Sequence, residues 1–371
     1  MSHRGRIGVV LARTGRLTLL GDPVEYVVGR FRELLPSVDL VTADSQSTVE
    51  GARAATTALI ERERVQLVVC LGGTSVLPTV AETCELLRTP CVSTALPWQV
   101  YRYGRDRTFD WTYHFCWGLD DIARTFADLW RHAGESVGLL WNDGPQGRAL
   151  RDPRFGFLPV RTHTLVDPGA YRESESDFAH QVEALRLADV DVVSSAATTG
   201  DLVRFCERAE REGLRPNLIT CSRWLAYPFG MDHPALNGVA TVVAWTPRHR
   251  YVSSVDGVTA ARLGEDYQRD TGRQWLPLLG LAHALLEVAV HALRAARSPE
   301  RAAVAEALAK TTVDTIAGRL DWTSGPVPAV ARVPLAGGQW RMRERPELRV
   351  VANDQVPAAV CDGDLVVGVR S

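Results

Sequence analysis

Residues 65–98, VQLVVCLGGTSVLPTVAETCELLRTPCVSTALPW, constrain the fold more than any other stretch. Two short apolar runs, 65–71 and 90–94, enclose a helix-length segment at 79–87. Two buried strands joined through a helix run parallel, because the crossover returns the chain to the end of the sheet it left. Both strands finish in small hydroxyl residues. Thr74 and Ser75 follow the Gly72-Gly73 turn, and Ser93 and Thr94 close the second strand. In a parallel sheet these ends share the carboxyl edge, where open α/β folds bind ligands. N–H groups at a helix start, with hydroxyls beside them, suit a carboxylate or a similar anion. Gly72 and Gly73 serve equally well as a plain tight turn.

The same alternation runs through most of the chain. Residues 6–11 and 38–43 read as strands. The helices that follow them bury Val24, Val27, Phe31 and Leu34, then Val49, Ala52, Thr56 and Leu59, at spacings of three and four. Segment 98–117 is aromatic-rich and irregular, with a strand at 113–117 leaving the first series. A second series starts at Asp120, with strands at 136–141, 191–195, 217–221 and 239–244. In it, the turn NDGPQG at 142–147 stands to its strand as 72–75 does to its own, whereas 148–161 is poor in helical pattern. Helices over roughly 255–273, 277–296 and 300–309 follow, then a strand at 318–322; AGGQW at 336–340 reads as a turn. The fold class is therefore α/β, with parallel sheets flanked by helices.

At 371 residues the chain exceeds one ordinary core, so two domains are expected. A hydrophobic share of 46% and a charged share of 23% are those of a folded globular protein. A net charge of −2 argues against a nucleic-acid partner. No apolar run reads as a membrane span, and the N-terminus enters a strand without the apolar region and cleavage site of a secretory leader. The seven cysteines include no CxxC pair, which argues against zinc and thioredoxin-like chemistry and leans toward a reducing compartment. One disulfide, Cys70 or Cys84 with Cys91, stays open.

No GxSxG, HExxH, GxGxxG or Walker loop occurs. Asp270-Thr271-Gly272 spells the DTG of aspartic proteases, but in a single copy at the end of a helix, where it reads as a helix stop. The nine histidines are scattered, none at metal-ligand spacing, and His283 reads as a core residue. Neither enzyme activity, cofactor nor metal is expected.

Taken in order, IGVVLARTG…GDP, ALIERERVQLVVCLGGTS, TPCVSTALP, ESVGLLWNDGPQG, DFAHQVEALRLADVDVV and GRLDW…PLAGGQW resemble the type I periplasmic binding proteins. The closer resemblance is to the leucine/isoleucine/valine-binding branch of ABC-transporter substrate-binding proteins. It implies two Rossmann-like lobes joined by three hinge crossovers near 117–121, 245–252 and 322–331, with a small ligand trapped in the cleft. Lobe 1 is expected at 1–118 and 250–325, and lobe 2 at 119–249 and 326–371. The implied function is capture of a small solute for the permease subunits of an ABC importer, outside the cytoplasm. A cytosolic small-molecule sensor of the same fold, acting on a regulatory partner, is the alternative favoured by the missing leader and the cysteines.

In amino-acid-binding relatives, hydroxyls and N–H groups at the ends of the third and fourth strands hold the ligand carboxylate. The resemblance places Thr74 and Ser75 at the first of these ends. Thr94, Ala95 and Trp98 fall at the second, with Trp98 near a position where relatives use threonine. On lobe 2, Gln146 stands where relatives carry an aromatic residue before the glycine of a D-x-x-Y-G turn. Thr198 closes another strand end, and Arg223, followed by Trp224, falls where relatives place the acid that binds the ligand's ammonium. An Arg fork matches a carboxylate and repels an ammonium. The expected ligand is accordingly an organic acid, aromatic if the tryptophans near strand ends stack on it. Arg223 as an exposed loop residue, Gln146 as a turn cap and the tryptophans as core packing are the plain alternatives.

Overall fold

The computed structural model describes residues 5–102, 109–155, 162–174, 177–225, 234–342 and 346–368. The elements, in chain order, begin with β1 (Gly5–Leu11), α1 (Thr18–Leu34), β2 (Val38–Asp44), α2 (Val49–Glu61), β3 (Leu67–Leu71), α3 (Val76–Leu86), β4 (Cys91–Thr94), α4 (Trp98–Arg102) and β5 (Thr112–Cys116). Next come α5 (Leu119–Trp130), β6 (Ser136–Leu140), α6 (Pro145–Arg151), β7 (Thr164–Val166), α7 (Ala179–Leu187), β8 (Val192–Ser195), α8 (Thr199–Glu212), β9 (Leu218–Cys221) and β10 (Ala240–Val243). The chain ends with α9 (Ala260–Thr271), α10 (Pro277–Ala296), α11 (Arg301–Ala309), β11 (Thr312–Thr315), β12 (Gly318–Asp321), β13 (Val330–Arg332), β14 (Ala336–Met342) and β15 (Pro346–Ala352).

These form two compact units. The first comprises Met1–Trp117 and Trp245–Val333. Its sheet has the order β13-β5-β4-β3-β1-β2, with every pairing parallel. β3 and β5 are buried at every position; the sequence of β3, LVVCL, is accordingly a continuous apolar run without alternation, whereas β5 carries the buried polar residues Thr112 and His114. β2 and β3 lie on opposite sides of β1, so the order of the strands reverses at β1. β13 pairs with His114–Cys116 of β5, so the chain stays in this unit through Val333 and does not leave it near 325 as expected. β11 and β12 form a separate antiparallel hairpin.

α10 is long and apolar enough to cross a membrane, contrary to the expectation that no segment would be, and it lies buried in the first unit against α1, β3 and β4. It carries a fully buried carboxylate. Glu287 Oε2 accepts from the Ser254 N–H (2.8 Å) and hydroxyl (3.1 Å), while Oε1 accepts from the Ile316 N–H (2.9 Å) and lies 3.0 Å from His283 Nδ1. One side chain thus ties α10 to the loop before α9 and to the β11–β12 turn. Burial works against charging His283, but the neighbouring carboxylates, Asp256 with Oδ2 3.9 Å from Nε2 and Glu287 on Nδ1, outweigh it and raise the imidazole pKa.

The second unit comprises Gly118–Ala244 and Pro334–Ser371, with the sheet order β15-β14-β10-β9-β8-β6-β7. β6 to β10 run parallel; β14 and β15 are antiparallel additions at one edge. Two local expectations are corrected. The helix α6 occupies the start of the segment read as poor in helix, beginning at Pro145, whose fixed φ suits a first helical position. AGGQW is strand and not turn: it opens β14. Its glycines serve close packing, since a Cβ on Gly338 would meet Val243 Cγ2 at 2.4 Å and one on Gly337 would meet Leu129 Cδ2 at 3.0 Å.

Glu287→Ala should lower stability by about 3–5 kcal/mol, because it strands buried donors and an unpaired imidazole; the midpoint of urea unfolding reads this. Gly338→Ala should cost about 1–3 kcal/mol through overpacking. Gly29→Ala, on an α1 position with no atom within 4 Å of the added Cβ, should instead stabilise by roughly 0.5–1 kcal/mol in the same assay.

Candidate functional site

In the first unit, the register Leu71↔Thr94↔Phe115 aligns the carboxyl ends of β3, β4 and β5. The chain turns at 72–75 into α3, and the partly exposed Thr74 and Ser75 stand at the helix start. Ser75 does not cap the helix, and neither hydroxyl has a hydrogen-bond partner among the described residues. Both are therefore available to an acceptor-rich group.

The end of β4 is built differently. Thr94 is fully buried, and its hydroxyl donates to the Phe115 carbonyl at 2.7 Å. Ala95 follows with φ +80°, a left-handed conformation that costs a residue with a Cβ about 1 kcal/mol or more. Trp98 opens α4; its backbone N–H donates to Trp117 O at 3.1 Å, while its buried indole N–H has no partner among the described residues.

His114 holds this kink in place. Its Nε2 lies 2.7 Å from the Leu96 carbonyl, which only accepts, so Nε2 carries the proton and Nδ1 accepts from the Ser93 hydroxyl at 2.9 Å. Tyr101 stacks on the imidazole with ring centroids 4.2 Å apart. Burial pushes the His114 pKa down to about 4, so the ring is neutral.

In the second unit, Leu140↔Ser195↔Cys221 are the aligned ends of β6, β8 and β9. Asn142 organises the turn after β6: its Oδ1 accepts from Gly144 N (3.0 Å) and its Nδ2 donates to Glu173 Oε2 (3.0 Å). Gly147 is required there, since a Cβ would lie 1.9 Å from the Asn142 carbonyl. Gln146 is buried and donates to Ser222 Oγ at 3.1 Å. Thr198 caps α8, accepting from Asp201 N at 3.2 Å. Arg223 is not an exposed loop residue. Only 10% of its side chain is accessible, and Nη1 donates to Glu173 Oε2 at 2.8 Å. The Trp224 side chain lies outside the described residues; its backbone belongs to the 3-10 turn Ser222–Leu225.

The structure thus brings Gln146 together with Ser222, and Arg223 with two residues that sequence reasoning missed as site residues, Asn142 and Glu173. The Arg223 charge is opposed within the unit, so charge alone does not exclude a ligand amine. Tyr171 also escaped notice: it is buried and its hydroxyl has no partner among the described residues. Burial raises its pKa, as do the nearby charges of Asp201 and Glu173, against a lowering by Arg223.

A family model described as periplasmic binding protein matches residues 6–333. The chain belongs to the periplasmic binding protein family. Solved structures share the fold. A leucine-binding protein from Thermotoga maritima MSB8 is similar with a TM-score of 0.76 at 17% identity, covering 94% of this chain and 99% of that one. A leucine-, isoleucine-, valine-, threonine- and alanine-binding protein from Brucella ovis gives 0.77 at 17% identity, covering 95% and 93%. A solute-binding protein of an ABC transporter from Rhodopseudomonas palustris BisB5, in complex with 3,4-dihydroxybenzoic acid, gives 0.73 at 13%, covering 98% of each. No curated protein matches the sequence. Members of this family are binding proteins, and their type I fold is the one seen here, two α/β units each with a mainly parallel sheet.

A histidine held neutral in the fold withdraws stability in acid, because the unfolded chain takes up a proton that the folded one refuses. Between pH 6.5 and 5, His114 should cost about 1–2 kcal/mol of unfolding free energy. His114→Gln should flatten the pH dependence by that amount in denaturant titrations at the two pH values.

Proposed function

We propose that the chain captures a small carboxylate-bearing molecule, aromatic or amino-acid-like, and delivers it to the permease subunits of an ABC importer. On this reading the chain performs no covalent chemistry, and the carboxyl-edge turns of each unit contribute ligand contacts. The observation that carries it is the pair of unsatisfied hydroxyls, Thr74 and Ser75, at the start of α3 in a periplasmic binding protein. Hydroxyls beside helix N–H groups supply several donors to one carboxylate, and the positive end of the helix dipole favours its charge. Thr94, Ala95 and Trp98 shape the adjoining edge, and Gln146, Thr198, Arg223 and Trp224 lie at strand ends of the second unit. The family also supports a location outside the cytoplasm.

A thermal-shift panel of aliphatic and aromatic amino acids, benzoate-type acids, dicarboxylates, amides and sugars tests this. A ligand at about 100 times its Kd adds about 2.7 kcal/mol to the folded state. Acids should raise the melting temperature, and Thr74→Val and Ser75→Ala should each weaken binding roughly 5- to 30-fold. Shifts confined to sugars or amides, or acid binding indifferent to both substitutions, would refute the proposal.

One observation favours a second reading, a cytosolic sensor of the same fold acting on a regulatory partner: all seven cysteines are free. Reduced thiols are at home in a reducing compartment. Fractionation of native cells separates the two, since the importer component belongs with the cell envelope and the sensor with the cytosol.

A further inference from the structure

An open cavity of about 530 Å³ lies in the first unit between α1 and the end of α9. None of the strand-end residues described above lines it. One wall is a single stripe of α1, where Asp22, Glu25, Tyr26, Gly29, Arg30 and Glu33 recur at spacings of three and four. The other wall carries Tyr267 and Asp270. The two tyrosines meet edge to face with ring centroids 5.0 Å apart, and the Tyr26 hydroxyl donates to Asp270 Oδ2 at 2.9 Å. Gly29 opens the α1 wall, since a Cβ there would meet nothing within 4 Å. Glycine weakens a helix interior; what its missing side chain provides at this position is room. Tyr26 stands three residues before the gap and Glu33 four residues after it, on the same stripe.

The lining carries four carboxylates and two guanidiniums, and both guanidiniums are already matched. Arg30 Nη2 lies 2.9 Å from Asp256 and Nη1 3.4 Å from Asp266, two acids whose side chains are nearly inaccessible, and Arg273 pairs with Asp22. Glu25 and Asp270 are met by Arg13 and Arg269. Glu33 is different: it is exposed, and its carboxylate has no partner among the described residues. Burial and the hydrogen bond to Asp270 push the Tyr26 pKa up to about 12, so the phenol stays neutral. An anion entering the cavity finds no free guanidinium on the lining. A cation finds an aromatic ring and a free carboxylate on either side of a gap, and the ring quadrupole and the charge attract it together. We propose that this cavity is a further binding site of the protein, for a small organic cation with a guanidinium or alkylammonium head and a short apolar stem. The head lies against Tyr26 and Glu33, and the stem takes the space that Gly29 leaves.

NMR titration of the full chain with a matched pair tests this: n-butylguanidinium against n-butylurea, which keeps the shape and removes the charge. In physiological salt the wild-type protein should bind the cation about tenfold or more tightly than the urea. Gly29→Leu fills the gap at a place where no atom crowds the new Cβ, so the urea-unfolding midpoint should hold while affinity for the cation falls about tenfold or more. Glu33→Gln, at an exposed position, should weaken the cation roughly 3- to 10-fold and flatten the salt dependence of its binding. It decides alone if the leucine variant unfolds early. Equal affinities within the pair, no binding of the cation at about 10 mM, or cation binding that either folded variant leaves unchanged overturns the proposal.

Discussion

Parallel pairing is the constraint on which everything else here depends. Strands that all run one way deliver every outgoing turn to the same edge, and register decides which turns become neighbours. In the first unit the rows Leu71, Thr94 and Phe115 end together; in the second, Leu140, Ser195 and Cys221 do. Groups far apart in the chain, such as Ser93 and His114, or Asn142, Glu173 and Arg223, meet only because of this alignment. The helices on the faces keep the strands dry, which is what permits fully apolar runs such as β3.

Polar groups inside the first unit act as connectors of irregular backbone. Glu287 gathers two loops onto the central helix, and His114 closes the left-handed kink at Ala95. The two imidazoles carry opposite pH signatures. His283 has a raised folded pKa, so its charge contributes fully below about pH 6.5 and fades as the pH rises through the folded value. His114, held neutral, weighs against the fold on the acid side. These two contributions together favour a stability optimum close to the pKa of free imidazole.

Much of the architecture was legible in the sequence, because the period of the apolar residues states both the element type and its burial. The 65–98 stretch reads directly as β3, α3 and β4, and α10 spans the expected 277–296. What misled was local composition read without tertiary neighbours. The glycines of AGGQW signal a turn to a sequence reader, yet in the fold they are the places where Leu129 and Val243 press against a strand. The site divides in the same way. Hydroxyls at strand ends are visible from strand pattern alone, which is how Thr74 and Ser75 were found. That Thr94 spends its proton on the Phe115 carbonyl, or that an acid offsets Arg223, depends on groups brought together across 21 and 50 residues, and no spacing rule reports those contacts.

The distribution of thiols has a practical consequence. Six of the seven cysteines are buried, and Cys361, in the second unit, is exposed. Alkylating reagents need an accessible thiolate, so the folded chain offers them a single address. A maleimide dye or spin label can be carried at that one position of the unaltered protein. The molecule thus comes with its own attachment point for optical or magnetic readout, on the same unit as Glu173 and Arg223.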